Sequence, residues 1–355
     1  MKEILKITYP KGNSRMMKAL FLIRPGETEI REIDMPVIRP DEVLLKVRRV
    51  GFCGGDLNGY RGLFELQEYP NILGHEVGAT IAQIGSDVPE TFKTGMNVTL
   101  NPYLSCGVCY ACRKGYPNAC QDNKTMGVRR PGAMTRYIAT TWKTLYSSTM
   151  LSYKALALVE PLSVGFHAAN RGNISSKDRV VALGCGIVGI GAIAASVHRG
   201  AEVIAVDIDD TKMAIAQKAG ASCTINATKN DLHEALAEIT GGDGPDVIIE
   251  AAGNPSTFRA AVEEVAYKGR VVYIGYTRKP VEYNTGIFVK KEIDILGSRN
   301  SVDEFTEVIR YLESGKFPVD DVITKTVSLE KAGSALSEWS DNPGPVTKIM
   351  VSLDE

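Results

Sequence analysis

Residues 180–207, VVALGCGIVGIGAIAASVHRGAEVIAVD, decide the fold. An apolar β-type run, Val180 to Leu183, enters the glycine-rich turn Gly184-Cys185-Gly186-Ile187-Val188-Gly189. A stretch rich in Ala and Ile continues at helical spacing to Arg199, and a second apolar run, Val203 to Val206, ends at Asp207. Strand, glycine turn, helix and second strand form the order in which GxGxxG carries meaning. The first glycine permits the tight turn, the second lets backbone approach a pyrophosphate, and the third lets helix pack on strand. The N–H groups of the helix N-terminus are then left for the anion. Val188 lies between the second and third glycines of the turn, on its last step into the helix. A carboxylate at Asp207 suits the adenosine ribose hydroxyls and repels a 2′-phosphate, so NAD is expected rather than NADP.

Outward from this unit the chain divides. From about 164 to 297 strands and helices alternate: helices near 212–219, 231–240 and 256–266, and strands at 223–225, 246–250, 270–274 and 293–296. This is the pattern of a doubly wound parallel sheet. Upstream, short β-type runs at 19–23, 42–50, 78–84 and 97–100 are separated by Pro25-Gly26, Pro40-Asp41 and Gly85-Ser86, which suits a small barrel-like domain. Residues 102–132 form a loop-rich lobe dense in cysteine. The tail from Ser298 carries helices near 302–312 and 329–340 and a strand at 347–351. The expected division is an extension over 1–16, a β-rich catalytic domain over 17–163 and 298–355, and a dinucleotide domain over 164–297.

Length and charge narrow the class. A chain of 355 residues exceeds one comfortable core, in keeping with two domains. Lys plus Arg number 41 against 42 for Asp plus Glu, which gives no basic surface for nucleic acid. Apolar runs fall short of a membrane span, and the first residues lack the apolar core of a signal peptide. With seven cysteines and no export signal, a reducing, cytoplasmic setting is expected, where clustered thiols bind metal rather than pair.

Cys106-x₂-Cys109-x₂-Cys112-x₇-Cys120 places four thiols on one loop. Four such ligands suit tetrahedral zinc with no open position, a structural site; an iron–sulfur cluster uses the same ligand type. A second constellation is dispersed: Cys53 within Gly51-Phe52-Cys53-Gly54-Gly55-Asp56, then Gly74-His75-Glu76, then Glu160-Pro161. One Cys, one His and a carboxylate are the ligand types of a catalytic zinc with one position open.

Taken in this order, the motifs resemble the zinc-dependent medium-chain dehydrogenases, the superfamily of zinc alcohol, sorbitol and threonine dehydrogenases, from about Met17 onward. The resemblance implies a GroES-like catalytic domain beside a Rossmann domain, with two zinc ions per chain. It implies Cys53 and His75 as catalytic-zinc ligands. Glu76 is implied either as a direct ligand or as a carboxylate behind the ligands, and Glu160 as meeting zinc or its water; the sequence leaves open how the two share the work. Lys290-Lys291-Glu292 and Gly297-Ser298-Arg299-Asn300 resemble sugar-acid dehydrogenases such as L-galactonate and L-gulonate 5-dehydrogenase, and Arg299 is implied beside the reacting centre. Arg129 and Arg130, after the cysteine lobe, are expected near the pocket.

Two departures bear on proton transfer. Gly55 stands where the family has Ser or Thr, and Asn58 where many members have His, so the usual relay lacks both groups. The expected reaction is NAD-dependent oxidation of a secondary alcohol of a polyol, sugar or sugar acid, by hydride transfer from a zinc-bound alkoxide. The alternatives are an L-threonine or simple secondary-alcohol dehydrogenase, or a non-catalytic zinc- and NAD-binding regulator. The expected partner is a small molecule, with neither nucleic acid nor membrane, and the expected assembly a homodimer or homotetramer.

Overall fold

Strands buried on both faces read as continuous apolar runs, and Val180–Leu183 belongs to a sheet of this kind. The computed structural model describes residues 16–354. Of the extension expected over 1–16, residues 1–15 lie outside the described residues. The chain begins with β1 (Met16–Arg24), β2 (Glu27–Asp34), β3 (Glu42–Gly51), α1 (Gly54–Tyr60), β4 (Asn71–Ile72), β5 (Glu76–Ile84) and β6 (Asn97–Leu100). The cysteine lobe adds α2 (Tyr110–Arg113), after which β7 (Tyr137–Thr141) and β8 (Leu145–Ser147) rejoin the β-rich part. A long helix, α3 (Tyr153–Arg171), leads into β9 (Arg179–Leu183), α4 (Ile187–His198), β10 (Glu202–Asp207), α5 (Asp210–Lys218), β11 (Cys223–Asn226) and α6 (Leu232–Thr240). The alternation continues through β12 (Val247–Glu250), α7 (Pro255–Glu264), β13 (Arg270–Tyr273), α8 (Gly286–Lys291) and β14 (Asp294–Gly297). The chain closes with α9 (Glu304–Glu313), α10 (Val319–Val322), β15 (Lys325–Ser328), α11 (Leu329–Asp341) and β16 (Ile349–Ser352).

Six strands form the parallel sheet, in the order β11-β10-β9-β12-β13-β14. Its strands turn alternate residues to opposite faces. Val180, Ala182, Val203 and Ile249 pack in one cluster with α3 and α4, whereas Val181, Leu183, Ile204 and Ile248 pack in another with Leu236 of α6 and Ala261 of α7. The β-rich part holds a sheet ordered β15-β16-β3-β5-β6-β8, with β7 also paired to β3, and the smaller sheet β2-β1-β4. No helix among the described residues is long and apolar enough to cross a membrane.

Both expected domain boundaries move. Residue 163 lies inside α3, which runs unbroken through Pro161 and is buried from Ala155 to Gly165 except at the half-buried Val164. The helix belongs to both parts, since it packs on β3 and β5 as well as on α4 and α9. The division at 298 also fails. α9 turns Phe305, Val308, Ile309 and Leu312 into the cluster around α3, so this amphipathic helix joins the parallel-sheet part. β15, α11 and β16 alone return to the β-rich core, and Val351 of β16 pairs with Val50 of β3.

Candidate metal and dinucleotide sites

The antiparallel register of β3 and β5 sets Gly51 opposite Glu76, so the residues flanking those strand ends, Cys53 and His75, meet at one place. Cys53 caps α1. Its Sγ accepts from Gly55 N at 3.3 Å, and its N–H donates to Asp56 Oδ2 at 2.8 Å. The ligand atoms of Cys53, His75 and Glu76 lie within 4.8 Å of one another. His75 and Glu76 are buried, and His75 Nδ1 and Asp56 Oδ1 have no hydrogen-bond partner among the described residues. Burial disfavours the imidazolium, but the bond to Cys53 and the charges of Cys53, Asp56 and Glu160 outweigh it and hold His75 well above its usual range. A half-buried Cys beside a buried His and carboxylate, converging with a polar atom unpaired, fits a zinc ion.

The two acids differ in their surroundings. Both oxygens of Glu76 accept from Lys348 Nζ at 2.6 Å, and Lys348 Nζ also donates to the Phe52 carbonyl at 2.8 Å. Side-chain exposures of 1% and 0% make this a dry ion pair. Burial nevertheless pushes the Glu76 carboxyl up to about 7 against the pull of Lys348. Glu160, on α3, accepts the hydroxyl of Tyr103 on Oε1, and its other oxygen makes no hydrogen bond among the described residues. Burial, then the Glu160 charge, hold the Tyr103 phenol well above its ordinary range, so it remains a donor.

Lys348 and Tyr103 are absent from the residues that sequence reasoning singled out. Lys348 carried one local signal, a charged residue leading directly into the apolar Ile349-Met350-Val351. Tyr103 carried none.

The four lobe cysteines also converge within 4.8 Å, with Sγ–Sγ separations of 3.5 Å for Cys109–Cys112 and 3.9 Å for Cys109–Cys120. A tetrahedron of sulfurs around zinc has edges of about 3.8 Å for zinc–sulfur bonds of roughly 2.3 Å. Backbone N–H groups of Cys112 and Gln121 draw the Cys109 thiol down to about 6, toward the thiolate that a metal takes.

At the dinucleotide turn each glycine has a separate cause. Gly184 adopts φ +100°, and a Cβ there would stand 2.8 Å from Ala252 N. A Cβ at Gly189 would come within 1.9 Å of the Gly184 carbonyl oxygen, so only glycine lets α4 pack against the turn. Gly186, the N-cap of α4, faces open space and gives no side-chain cap to the helix; Ile187 and Val188 form its first turn. Uncapped N–H groups beside an open cradle fit a pyrophosphate. Asp207 ends β10 with its carboxylate fixed by Cys185 N at 2.6 Å, Ile208 N at 2.7 Å and Asp209 N at 3.0 Å.

Arg130 donates to the carbonyls of Lys124 and Pro102, both at 3.0 Å, and Arg129 pairs with Asp122 at 3.2 Å and Glu68 at 3.7 Å. Both therefore brace the lobe. Arg299 follows β14 as expected, but its side chain is exposed and unpaired among the described residues, and its carbonyl accepts from Asn118 Nδ2 at 3.0 Å.

Comparison with known proteins places the chain in a family. A family profile described as "Alcohol dehydrogenase GroES-like domain" matches residues 39–149, and one described as "Zinc-binding dehydrogenase" matches residues 188–314. The chain is 34% identical to the sorbitol dehydrogenase of Bacillus subtilis over 94% of this chain and 97% of that protein. Among solved structures it superimposes on an Escherichia coli alcohol dehydrogenase complexed with NADH (28% identity, TM-score 0.88, 95% of this chain and 99% of that one). A zinc-binding dehydrogenase of Sinorhizobium meliloti bound to NADP superimposes equally well (28% identity, TM-score 0.89, 95% and 99%).

Proposed function

The chain belongs to the zinc-dependent medium-chain dehydrogenases, oxidoreductases of alcohols that use NAD(P) and zinc, and we propose that it oxidises a secondary alcohol of a polyol, sugar or sugar acid with NAD. The observation that carries this reading is α3. It carries Glu160, whose charge acts on His75 and Glu76, and it packs on α4, whose N-terminus forms the dinucleotide turn, which supports a single helix serving both sites.

Cys53 and His75 with one of the two carboxylates would hold a zinc ion, which would supply Lewis-acid polarisation of an alcohol oxygen, and NAD would take up the hydride. The chain's own groups set the rest. Lys348 offsets the charge of Glu76 and occupies both of its oxygens. Glu160, with one oxygen uncommitted, is the carboxylate placed to hold the alcohol proton, since Gly55 and Asn58 supply no base. Asp207 is already aligned as an acceptor for ribose hydroxyls and opposes a 2′-phosphate. The fixed roles of Arg129 and Arg130 leave Arg299 as the remaining arginine for a substrate carboxylate.

The test is a panel of polyols, aldoses, sugar acids, L-threonine and simple secondary alcohols, with NAD or NADP and zinc-replete protein, followed by NADH absorbance. Turnover of a polyol, sugar or sugar acid with NAD is expected. Silence across the panel overturns the reading, and turnover confined to threonine or simple alcohols replaces it.

A further inference from the structure

The cysteine lobe has more than a stapling role in its connection to the catalytic cluster. Residues 101–104 lead into the lobe just ahead of Cys106, and their backbone is clamped from several sides. Tyr103 N donates to Asn101 Oδ1 at 2.9 Å. The Pro102 carbonyl accepts from Met126 N at 3.1 Å and from Arg130 Nη2 at 3.0 Å, and the Leu104 carbonyl accepts from Lys124 N at 2.9 Å. The segment leaving the lobe thus grips the one entering it. From that clamped turn the Tyr103 side chain reaches Glu160 on α3.

We propose that Tyr103 is the positioning residue for Glu160: its hydroxyl fixes one carboxylate oxygen, so that the other is presented to the reacting centre in a single orientation. A carboxylate on a helix rotates about its side-chain torsions, and a buried donor on one oxygen removes that freedom. The need is greater here than where a Ser–His relay exists, because residues 55 and 58 offer neither hydroxyl nor imidazole. Arg130 becomes the strut of the same device, since its guanidinium bridges the two arms of the clamp through the Pro102 and Lys124 carbonyls. This inference rests on the proposed alcohol oxidation and deepens it.

The test is Tyr103→Phe, which keeps the ring and removes the donor, alone and combined with Glu160→Gln. Loss of a hydrogen bond to a charged group should lower kcat about ten- to a hundredfold while the KM for NAD stays unchanged. In the Glu160→Gln background the same substitution should cost nothing further, because its only partner at the centre is already altered. A readout independent of turnover is the visible spectrum of the cobalt(II)-substituted chain, whose bands respond to a carboxylate near the metal. Tyr103→Phe should shift it in the direction that Glu160→Gln does. Additive losses in the double variant, or an unchanged cobalt spectrum in Tyr103→Phe, overturn the proposal. If the wild-type chain turned over no alcohol, the functional reading would fall while the cobalt spectra still decided the role of Tyr103.

Discussion

Lys348 shows what a single residue contributes here and why it was hard to read. Its ammonium meets Glu76 across nearly the whole chain, through the pairing of β16 with β3, and no local periodicity encodes such a contact. Glu160 was singled out in the sequence, but its contact with Tyr103 was hidden for the same reason, since a loop residue and a helix residue meet only in the fold. By contrast Cys53, His75, the lobe cysteines and Asp207 were legible because metal and ribose chemistry restrict residue type, and spacing or order does the rest. The buried pair makes a direct prediction. Lys348→Met should leave Glu76 dry and unpaired and destabilise the fold by about 3–5 kcal/mol, measured by urea denaturation. Glu76→Gln with Lys348→Met removes both charges and should recover much of that loss. A double variant as unstable as the single one would show that Lys348 acts through packing instead.

At the scale of elements, the parallel sheet was readable because each strand is a short apolar run ended by turn residues, and the observed ends fall within a few residues of those expected. The helices beside it were less so. Pro161 sits within α3, where tertiary packing on both sheets and on neighbouring helices overrides the local penalty. α9 was placed with the wrong part because its apolar face fits either core, and only contact decides. Its entry is fixed by Glu304, which accepts from His167 Nδ1 at 2.7 Å, Asn170 Nδ2 at 3.0 Å and Val302 N at 2.6 Å. Burial alone would raise this carboxyl; the three bonds instead hold it down to about 2 from an ordinary 4.5. A carboxyl depressed on folding adds stability above its unfolded value that is lost as pH falls through the folded one. The window is therefore pH 4.5 to 2, and the contribution about 3 kcal/mol. Glu304→Gln should be less stable than the wild type at pH 7, and the gap should narrow as pH is lowered through that window. A gap independent of pH would assign the loss to shape rather than charge.

Across the whole molecule, the zinc cluster and the dinucleotide turn sit on different sheets, and α3, whose buried residues pack with the parallel-sheet core, also lies against β3 and β5. Cofactor bound at the turn therefore acts on the unit that α3 ties to the cluster, and its binding should be visible as stability of the entire chain. A cofactor at about 100 times its Kd adds roughly 2.7 kcal/mol to the folded state. Two similar structures hold NADH and NADP respectively, and the end of β10 is where a preference in this chain can be tested. There Asp207 does two things at once: it ties down three backbone N–H groups and presents negative charge. Asp207→Ala would remove every tie as well as the charge, whereas Asp207→Asn keeps the size and one acceptor oxygen, removes the charge, and loses the tie that falls to its NH2 group. In the wild type, NAD should raise the melting temperature at concentrations where NADP does not. In Asp207→Asn the NAD affinity should fall about tenfold, as a charged hydrogen bond to ribose becomes a neutral one, and NADP should gain as repulsion disappears. Isothermal titration of both cofactors against both proteins, beside their melting curves, separates these contributions. Equal affinity of the wild type for NAD and NADP would show that the charge at residue 207 is spent on holding the turn and has no part in choosing the cofactor.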